Sequence, residues 1–294
     1  MADRPAWQIE GRDWPNRQAS RFLRAGGIDW HVQVVGQGPV VLLLHGTAAA
    51  THSWRDVLPL LADHATVVAP DLPGHGFTGM PGDIGLTLPG MARLVEALLD
   101  TLRLSPAIAV GHSAGAAVAL RMALDRRIAP RTVISLNGAL TPLGDRHAAF
   151  FTRAARMLVG LPFVPQIFAW RAADRAVAER LLQDTGSRID ARGVDLYARL
   201  FRRAGHLSGA LRMMANWDLA PLLRDLPRLE PDLLLVVGER DRTIAPAKAE
   251  RIAAILPAAR IERLPGLGHL AHEERPDLAA GIVLRELARE MAEP

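Results

Sequence analysis

Residues Ala107–Gly115 read AIAVGHSAG, and this stretch carries the strongest structural signal in the chain. Its first four residues form a short apolar run typical of a buried strand, and a helical pattern follows from Ala114 to Asp125. Between them lies a G-x-S-x-G motif, in the strand–turn–helix context that the motif requires. Glycine is needed at both ends because side chains there would clash as the chain reverses. The pattern predicts that Ser113 stands exposed at the end of a strand.

Strand and helix patterns alternate on both sides of this motif. Further strands are predicted at Ile28–Val35, Val40–Leu44, Ala65–Ala69, Thr132–Leu136, Leu233–Val237 and Arg260–Leu264. Helices are predicted at Trp54–Ala62, Leu86–Leu102 and Ala247–Ile255. The first of these strands alternates apolar and polar residues, as an exposed strand does, whereas most of the others are continuous apolar runs. Such βαβ units predict an α/β fold with a mostly parallel sheet covered by helices on both faces.

The alternation stops between residues 141 and 225. Helical patterns occur there at 148–158, 174–183, 191–202 and 209–215, without a strand signal. We therefore expect a core domain made of residues 1–140 and 226–294, with residues 141–225 inserted as a helical cap. Most of the aromatic residues lie in this insertion, which favours an apolar lid. A small helical subdomain also needs bulky residues for its own core, so the role of any single aromatic stays open.

Composition excludes several classes of protein. The 294 residues are 49% hydrophobic, which is enough to bury a large core and argues against a disordered chain. Cysteine is absent, so disulfides, thiolate catalysis and Cys-ligated metals are excluded. The net charge of +4 does not form a basic stripe, because Lys248 is the only lysine and the arginines are interspersed with acids. No nucleic-acid partner is predicted.

The location of the protein is also constrained by its hydropathy pattern. Its longest apolar runs are shorter than the roughly 18 to 20 residues that a membrane span needs. Residues 1–14 are polar and contain no apolar segment of the kind found in signal peptides. We therefore expect a cytoplasmic protein whose contact with membranes is at most peripheral.

Two more chemical groups follow predicted strands. A serine hydroxyl needs a base within hydrogen-bond reach, and that base needs a carboxylate to orient it. Asp241 follows the strand 233–237 and His269 follows the strand 260–264. Open α/β sheets bind their ligands at the carboxyl ends of the parallel strands. Ser113, Asp241 and His269 each follow such a strand and are predicted to form a catalytic triad there. Glu239 and His272 are the rival carboxylate and base, and His272 is better explained as a packed or surface histidine.

The donors of an oxyanion hole are predicted from the same strand ends. His45-Gly46-Thr47 follows the strand 40–44, and Ala114 begins the helix after Ser113. The backbone N–H groups of Thr47 and Ala114 are expected to hold the oxyanion. His45 and the loop 71–76 are interpreted as structural. The run from His269 to Glu273 matches no metal-binding motif, so neither a catalytic metal nor a cofactor is predicted.

Taken together, these motifs resemble the α/β-hydrolase superfamily over nearly the whole chain. The resemblance is carried by HG at 45–46, DLPGHG at 71–76, GHSAG at 111–115, Asp241 and GH at 268–269. A narrower set is similar to the magnesium chelatase accessory proteins of bacteriochlorophyll biosynthesis. It comprises WPNR at 14–17, GT at 46–47, THSWRD at 51–56, LNGAL at 136–140, FAWR at 168–171, TGS at 185–187 and PGLGHLAHEERP at 265–276.

The resemblance implies acyl transfer from an ester-like substrate, in which His269 takes the proton of Ser113 and Asp241 orients His269. It also implies a role in the insertion of magnesium into protoporphyrin IX, without saying which bond is cut. An apolar or tetrapyrrole-like substrate and contact with a magnesium chelatase subunit are the expected partners. The residues expected to bind such a substrate are Phe151, Phe168, Trp170, Met213 and Trp217. A non-hydrolytic accessory that binds a porphyrin or the chelatase remains the alternative.

Overall fold

The centre of the molecule is one eight-stranded sheet with the strand order β1-β2-β4-β3-β5-β6-β7-β8. The structure is a computed structural model that describes residues 3–142, 166, 169–171 and 174–292. The strands are β1 (Ser20–Ala25), β2 (Ile28–Val35), β3 (Val40–Leu44), β4 (Thr66–Pro70), β5 (Pro106–His112), β6 (Thr132–Leu136), β7 (Asp232–Gly238) and β8 (Arg260–Leu264). From β3 to β8 all neighbours are parallel, whereas β2 is antiparallel to β1 and β4. The carboxyl ends of the parallel strands therefore meet at one edge.

The described helices lie between and beside these strands. They are α1 (Trp7–Glu10), α2 (Val57–Ala62), α3 (Leu88–Leu102), α4 (Ala114–Leu124), α5 (Arg175–Asp184), α6 (Ala191–Phe201), α7 (Ala204–Asn216), α8 (Ala220–Asp225), α9 (Ala247–Ile255), α10 (Ala271–Glu274) and α11 (Pro276–Ala292). Short 3₁₀ helices occur at Arg17–Ala19, Thr51–Trp54, Asp83–Leu86 and Leu226–Arg228. Among the described residues, none of the helices combines the length and the apolarity needed to cross a bilayer.

Two apolar layers cover the sheet, because successive side chains of a strand point to opposite faces. In β3, Leu42 and Leu44 belong to one cluster with residues of α3, α4 and α9. Val41 and Leu43 belong to the other cluster, with residues of α2 and α11. The predicted α/β fold with helices on both faces is confirmed.

The first hairpin differs from the sequence-based expectation. The strand β1 was not predicted, and its outward-facing Arg21 and Arg24 are the kind of charged residues that protect a sheet edge. The alternating pattern predicts an exposed strand for β2, but it is buried from Trp30 to Val34. His31 and Gln33 are polar and buried because residues of the N-terminal segment cover them.

The described residues between β6 and β7 form helices α5 to α8. Predicted helices at 174–183, 191–202 and 209–215 correspond to α5, α6 and the C-terminal part of α7, whereas the one at 148–158 lies outside the described residues. Residues of α5 and α6 form an apolar cluster with Ala49 and Leu270, which follow β3 and β8. Helices α5 and α6 therefore pack against residues at the carboxyl edge of the sheet.

Candidate active site

Ser113 occupies a strained turn between β5 and α4. Its φ of 50° and ψ of −115° lie outside the regions that L-residues favour. The flanking glycines allow this turn. A Cβ at Gly111 would lie 2.3 Å from the nitrogen of Ala116, and one at Gly115 would lie 2.1 Å from the carbonyl oxygen of Leu44. The glycine requirement inferred from the sequence thus has a steric origin in close backbone approach.

Asp241 and His269 form a buried hydrogen-bonded pair. His269 Nδ1 lies 2.8 Å from Asp241 Oδ2, and both side chains are almost completely buried. The other carboxylate oxygen accepts hydrogen bonds from the backbone N–H groups of Thr243, at 2.7 Å, and Ile244, at 2.8 Å. A carboxylate held this way keeps the proton of the imidazole on Nδ1, which leaves Nε2 as the basic nitrogen.

The rival residues have other roles. Glu239 is exposed, and the carboxylate that bonds to His269 belongs to Asp241. His272 is buried, with its ring centroid 4.4 Å from that of His112. Burial lowers the pKa of His272 to about 3, so this imidazole stays neutral near pH 7. It is a packed histidine, as the sequence analysis favoured.

Two side chains that the sequence analysis gave no function hold the backbone around His269. Asn137 Nδ2 donates to the carbonyl oxygens of Gly268, at 2.9 Å, and His269, at 2.8 Å, while its Oδ1 accepts from the N–H of Gly238 at 2.6 Å. His112 Nε2 lies 2.9 Å from the carbonyl oxygen of His269. The Asn-Gly pair directly after β6, at the carboxyl edge of the sheet, is the sequence signal that could have identified Asn137.

Ser113 lies at the same edge as this pair. The ring of the preceding residue, His112, has its centroid 4.8 Å from that of His269. The hydroxyl of Ser113 makes no hydrogen bond with a described residue, His269 included. The residue is only 8% exposed, so the prediction that it stands exposed at the strand end is wrong. Catalytic hydrogen bonds are often long without substrate and tighten in the complex. The three predicted residues therefore lie at one edge of the sheet. Asp241 and His269 are hydrogen-bonded, whereas Ser113 and His269 are not.

Two free N–H groups lie beside Ser113. A Cβ at Gly46 would lie 3.0 Å from Ser113 Cβ, so the loop 45–47 touches the serine turn. Neither the N–H of Thr47 nor that of Ala114 donates a hydrogen bond to a described residue, and Ala114 is the first residue of α4. Unpaired N–H groups at a helix start and in an adjacent loop suit an anionic oxygen.

His45 contributes to the shape of this loop. Its Nδ1 lies 2.8 Å from the carbonyl oxygen of Gly46, and its Nε2 accepts the N–H of Leu72 at 2.8 Å. Burial lowers the pKa of His45, so the neutral form with its proton on Nδ1 fits both contacts. These bonds agree with the structural role inferred for His45.

Asp71 anchors the neighbouring loop. Its carboxylate accepts hydrogen bonds from the N–H groups of Thr51, at 2.7 Å, and Phe77, at 2.9 Å. It also lies 2.8 Å from His31 Nδ1. Burial alone would raise the pKa of Asp71, but His31 and these hydrogen bonds hold it well below its usual range.

The five residues predicted to contact substrate do not form one described surface. Met213 is completely buried in the core cluster, where α7 packs, so it is not accessible to a ligand and that expectation is corrected. Trp217 is half-buried against the same cluster, and Trp170 is 77% exposed. Phe151 and Phe168 lie outside the described residues.

Comparisons with known proteins show which family and which fold this chain resembles. Residues 41–282 match the Alpha/beta hydrolase family. The chain is 40% identical over 274 residues to the magnesium-chelatase 30 kDa subunit of Rhodobacter capsulatus, covering 92% of this chain and 95% of that protein. It is 26% identical to a 2-hydroxy-6-oxo-2,4-heptadienoate hydrolase of Pseudomonas putida, covering 88% of this chain and 93% of that enzyme. An alpha/beta hydrolase fold protein from Burkholderia ambifaria superposes with a TM-score of 0.76 at 23% identity, covering 91% of this chain and 97% of that one.

Proposed function

Because the chain belongs to the alpha/beta hydrolase family, we propose that it is a serine hydrolase acting on an apolar, ester-like substrate. The observation that carries this proposal is the Asp241–His269 pair at the same edge of the sheet as the strained turn of Ser113. A positioned base and an orienting carboxylate are what a serine needs to become a nucleophile near neutral pH.

The reaction proceeds in two acyl transfers. His269 Nε2 removes the proton of Ser113 as Oγ bonds to the substrate carbonyl carbon, and the N–H groups of Thr47 and Ala114 stabilise the oxyanion. The leaving alcohol takes the proton from His269 as the ester bond breaks. Water then attacks the acyl-serine with His269 again as base, which releases the carboxylic acid and restores the hydroxyl. Asp241 keeps the imidazole in the required orientation throughout.

Residues 141–225 are proposed to act as a helical cap over this site. The support is the contact of α5 and α6 with Ala49 and Leu270, which flank the predicted oxyanion loop and His269. An apolar roof suits an apolar or tetrapyrrole-like substrate. Of the aromatic residues expected to contact it, Trp170 and Trp217 remain candidates among the described residues.

A second candidate function comes from the 40% identity to a magnesium-chelatase subunit. In this proposal the protein is an accessory to magnesium insertion into protoporphyrin IX during bacteriochlorophyll biosynthesis and contacts a chelatase subunit. This role is compatible with hydrolysis of a substrate in that pathway. It is equally compatible with a non-hydrolytic accessory that uses the same cleft to bind a porphyrin or the chelatase.

The hydrolase proposal is tested by covalent labelling with a fluorophosphonate probe, which reacts with activated serines. Wild-type protein is expected to be labelled stoichiometrically and Ser113→Ala not at all. Ser20→Ala is the matched control, because Ser20 lies within hydrogen-bond distance of the buried His31, and it should label like wild type. Absent labelling of folded wild-type protein would overturn the proposal.

Complementation separates the two candidate functions. A Rhodobacter capsulatus strain lacking its 30 kDa subunit would receive wild type or Ser113→Ala, expressed equally, and bacteriochlorophyll and its precursors would be measured. Rescue by wild type alone supports acyl chemistry in the pathway, and the accumulating precursor identifies the step. Rescue by both forms would instead favour the non-hydrolytic accessory.

A further inference from the structure

The joining segment between α5 and α6, residues 185–188, lies against the loop that carries the acid of the proposed triad. The N–H of Arg242 donates to the carbonyl oxygen of Thr185 at 3.0 Å. On the other side of the acid, a Cβ on Gly186 would lie 2.0 Å from the carbonyl oxygen of Arg240. The joining segment therefore contacts both neighbours of the acid, and only glycine is small enough for the second contact.

The same segment contacts both neighbours of His269. Ser187 is buried, and its Oγ accepts the N–H of Leu270 at 2.7 Å. Gly268 packs so closely against Ser187 that a Cβ on the glycine would lie 2.5 Å from the serine nitrogen. The peptide groups before and after the proposed base therefore both lie against the joining segment.

Glu274 ties the joining segment to the loop of His269 a second time. One of its carboxylate oxygens accepts the N–H of Gly268 at 2.7 Å, and the other accepts the N–H of Arg188 at 3.1 Å. Glu274 is the last residue of α10, which directly follows this loop. The backbone that carries the proposed base is thus held by a segment of the inserted region as well as by the sheet.

The Asp241–His269 hydrogen bond joins two loops that follow different strands, β7 and β8. Its length of 2.8 Å and the direction of the imidazole depend on how these loops are placed relative to each other. A misplacement of about 1 Å can cost on the order of 100-fold in rate. One segment that contacts the neighbours of both residues fixes this relative placement.

We propose that the joining segment positions the Asp241–His269 pair for the reaction, with Ser187 as the positioning residue for His269 and Gly186 as that for Asp241. Both act through the backbone of the two loops and not on the reacting atoms. The inference rests on the proposed hydrolase function and extends it, because the pair is then correctly assembled only while α5 and α6 are docked on the sheet.

Kinetics of Ser187→Ala test this role, since the substitution removes the acceptor of the Leu270 N–H. We expect kcat for p-nitrophenyl butyrate to fall about 10-fold with KM within about twofold of wild type, because the base is misplaced while the substrate site is kept. Arg199→Met is the matched control, because it removes an ion pair between α6 and Asp13 and should keep the wild-type kcat. Equal losses of kcat in both variants would reduce the effect to general loosening of the helices and contradict the proposal.

The tautomer of His269 gives a readout that does not depend on turnover. In protein with ¹⁵N-labelled histidine rings, wild type should show His269 protonated on Nδ1, and Ser187→Ala should shift the ring towards the Nε2-protonated form. His31 is the internal reference and should not change, because it makes the same 2.8 Å contact with Asp71.

This readout separates the positioning role from the hydrolase function. Unchanged ¹⁵N shifts of His269 in Ser187→Ala would overturn the positioning role, even in a protein that fluorophosphonate labels. Changed shifts in a protein that is not labelled would support the positioning of the pair and reject the hydrolase function.

Gly186→Ala tests the contact with the Asp241 loop. The added methyl group would meet the carbonyl of Arg240, so we expect kcat to fall about 100-fold. Gly27→Ala, in the turn between β1 and β2, is the matched control: Gly27 has a φ of 83° against 88° at Gly186, and its Cβ would meet no atom within 4 Å. The control should lose stability through the same backbone strain and keep its kcat. A wild-type kcat in Gly186→Ala would contradict the role of the glycine, and if this variant does not fold, the Ser187→Ala comparison decides the proposal alone.

Discussion

Within the described residues, two buried Asp–His pairs have the same 2.8 Å contact but different serine neighbours. In one, Ser20 Oγ lies 3.0 Å from His31 Nε2, and His31 Nδ1 lies 2.8 Å from Asp71. In the other, Asp241 and His269 make the same 2.8 Å contact, and Ser113 is not yet bonded. By distances alone, the Ser20 group would be the better triad.

What Ser20 lacks is the environment of a nucleophile. Its φ of −73° and ψ of 132° are ordinary extended values, and it starts a strand rather than a helix. Its oxygen also accepts a hydrogen bond from Gln33, and the rings of Trp7 and Phe77 enclose His31 at 5.0 and 5.3 Å. Ser113, by contrast, lies at a strained turn next to two N–H groups that donate to no described residue. We therefore expect serine reactivity to depend on backbone strain and oxyanion donors more than on a complete hydrogen-bond chain.

The largest expected effect is a loss of turnover when the carboxylate of Asp241 is replaced. Asp241→Asn is expected to lower turnover of p-nitrophenyl butyrate about 10⁴-fold, because an amide can no longer hold His269 in the required tautomer. The Tm should change little, and binding of a non-reacting substrate analogue should persist. Turnover within tenfold of wild type would show that Asp241 does not serve the reaction.

The equivalent substitution in the Asp71–His31 pair is expected to lower stability rather than turnover. Asp71→Asn disrupts the bond to His31 and one of the backbone N–H contacts, so we expect the free energy of unfolding to fall by about 3 kcal/mol. Urea unfolding followed by circular dichroism measures this, and turnover per folded molecule should stay near wild type. A large loss of turnover with unchanged stability would mean that the roles of the two pairs are reversed.

A third comparison concerns the pKa of buried histidines whose rings, unlike those of His31 and His269, have no carboxylate hydrogen-bonded to them. Burial lowers the pKa of six of them, namely His45, His52, His75, His112, His206 and His272. For His206 the pKa falls from 6.5 to about 4, so the unfolded chain binds more protons than the folded protein between these values. Stability is therefore complete above pH 6.5 and is lost as the pH falls, by about 1.4 kcal/mol per pH unit for each such histidine.

Thermal unfolding at a series of pH values checks this expectation. The Tm should be flat above pH 6.5 and drop steeply towards pH 5. His206→Gln, which removes one titrating ring from this set, should have a shallower drop than wild type, even if its Tm at pH 7.5 is lower. A wild-type Tm independent of pH down to 5 would contradict the assignment of these rings as neutral.

The smallest effect is expected at Ser20. Ser20→Ala removes a hydroxyl bonded to His31 and Gln33, and the expected cost is about 1 kcal/mol of stability with unchanged turnover. Urea unfolding and the p-nitrophenyl butyrate assay are the measurements. A loss of turnover comparable to that of Ser113→Ala would make Ser20 part of the chemistry and remove the contrast drawn above.

Sequence patterns were sufficient for much of this molecule. The strand runs at Val40–Leu44 and Thr132–Leu136 were predicted with their observed bounds, because buried parallel strands need continuous apolar residues. The turn at Ser113 was also recognisable, since its glycines satisfy local steric demands. The position of Asp241 and His269 after strands placed them at one edge, because parallel strands end together.

Other features escaped sequence reasoning for a physical reason. Met213 has the hydrophobic character expected of a ligand contact, yet α7 turns it into the core. Strand β2 has an alternating pattern, but the N-terminal segment covers its polar face. The Asn-Gly pair after β6 marks the position of Asn137, but its hydrogen bonds to the backbone of Gly238 and His269 result from tertiary packing. In each case the outcome depends on which distant element packs against the residue.

Local sequence therefore specified the fold, the strained serine and the order of the chemical groups, because periodicity and steric limits act over a few neighbouring residues. Only the tertiary structure paired His31 with Asp71 and brought the Asn137 amide against the backbone of His269. These contacts join residues 40 and 132 positions apart in the chain. Packing of whole elements brings such residues together, and no local pattern encodes it.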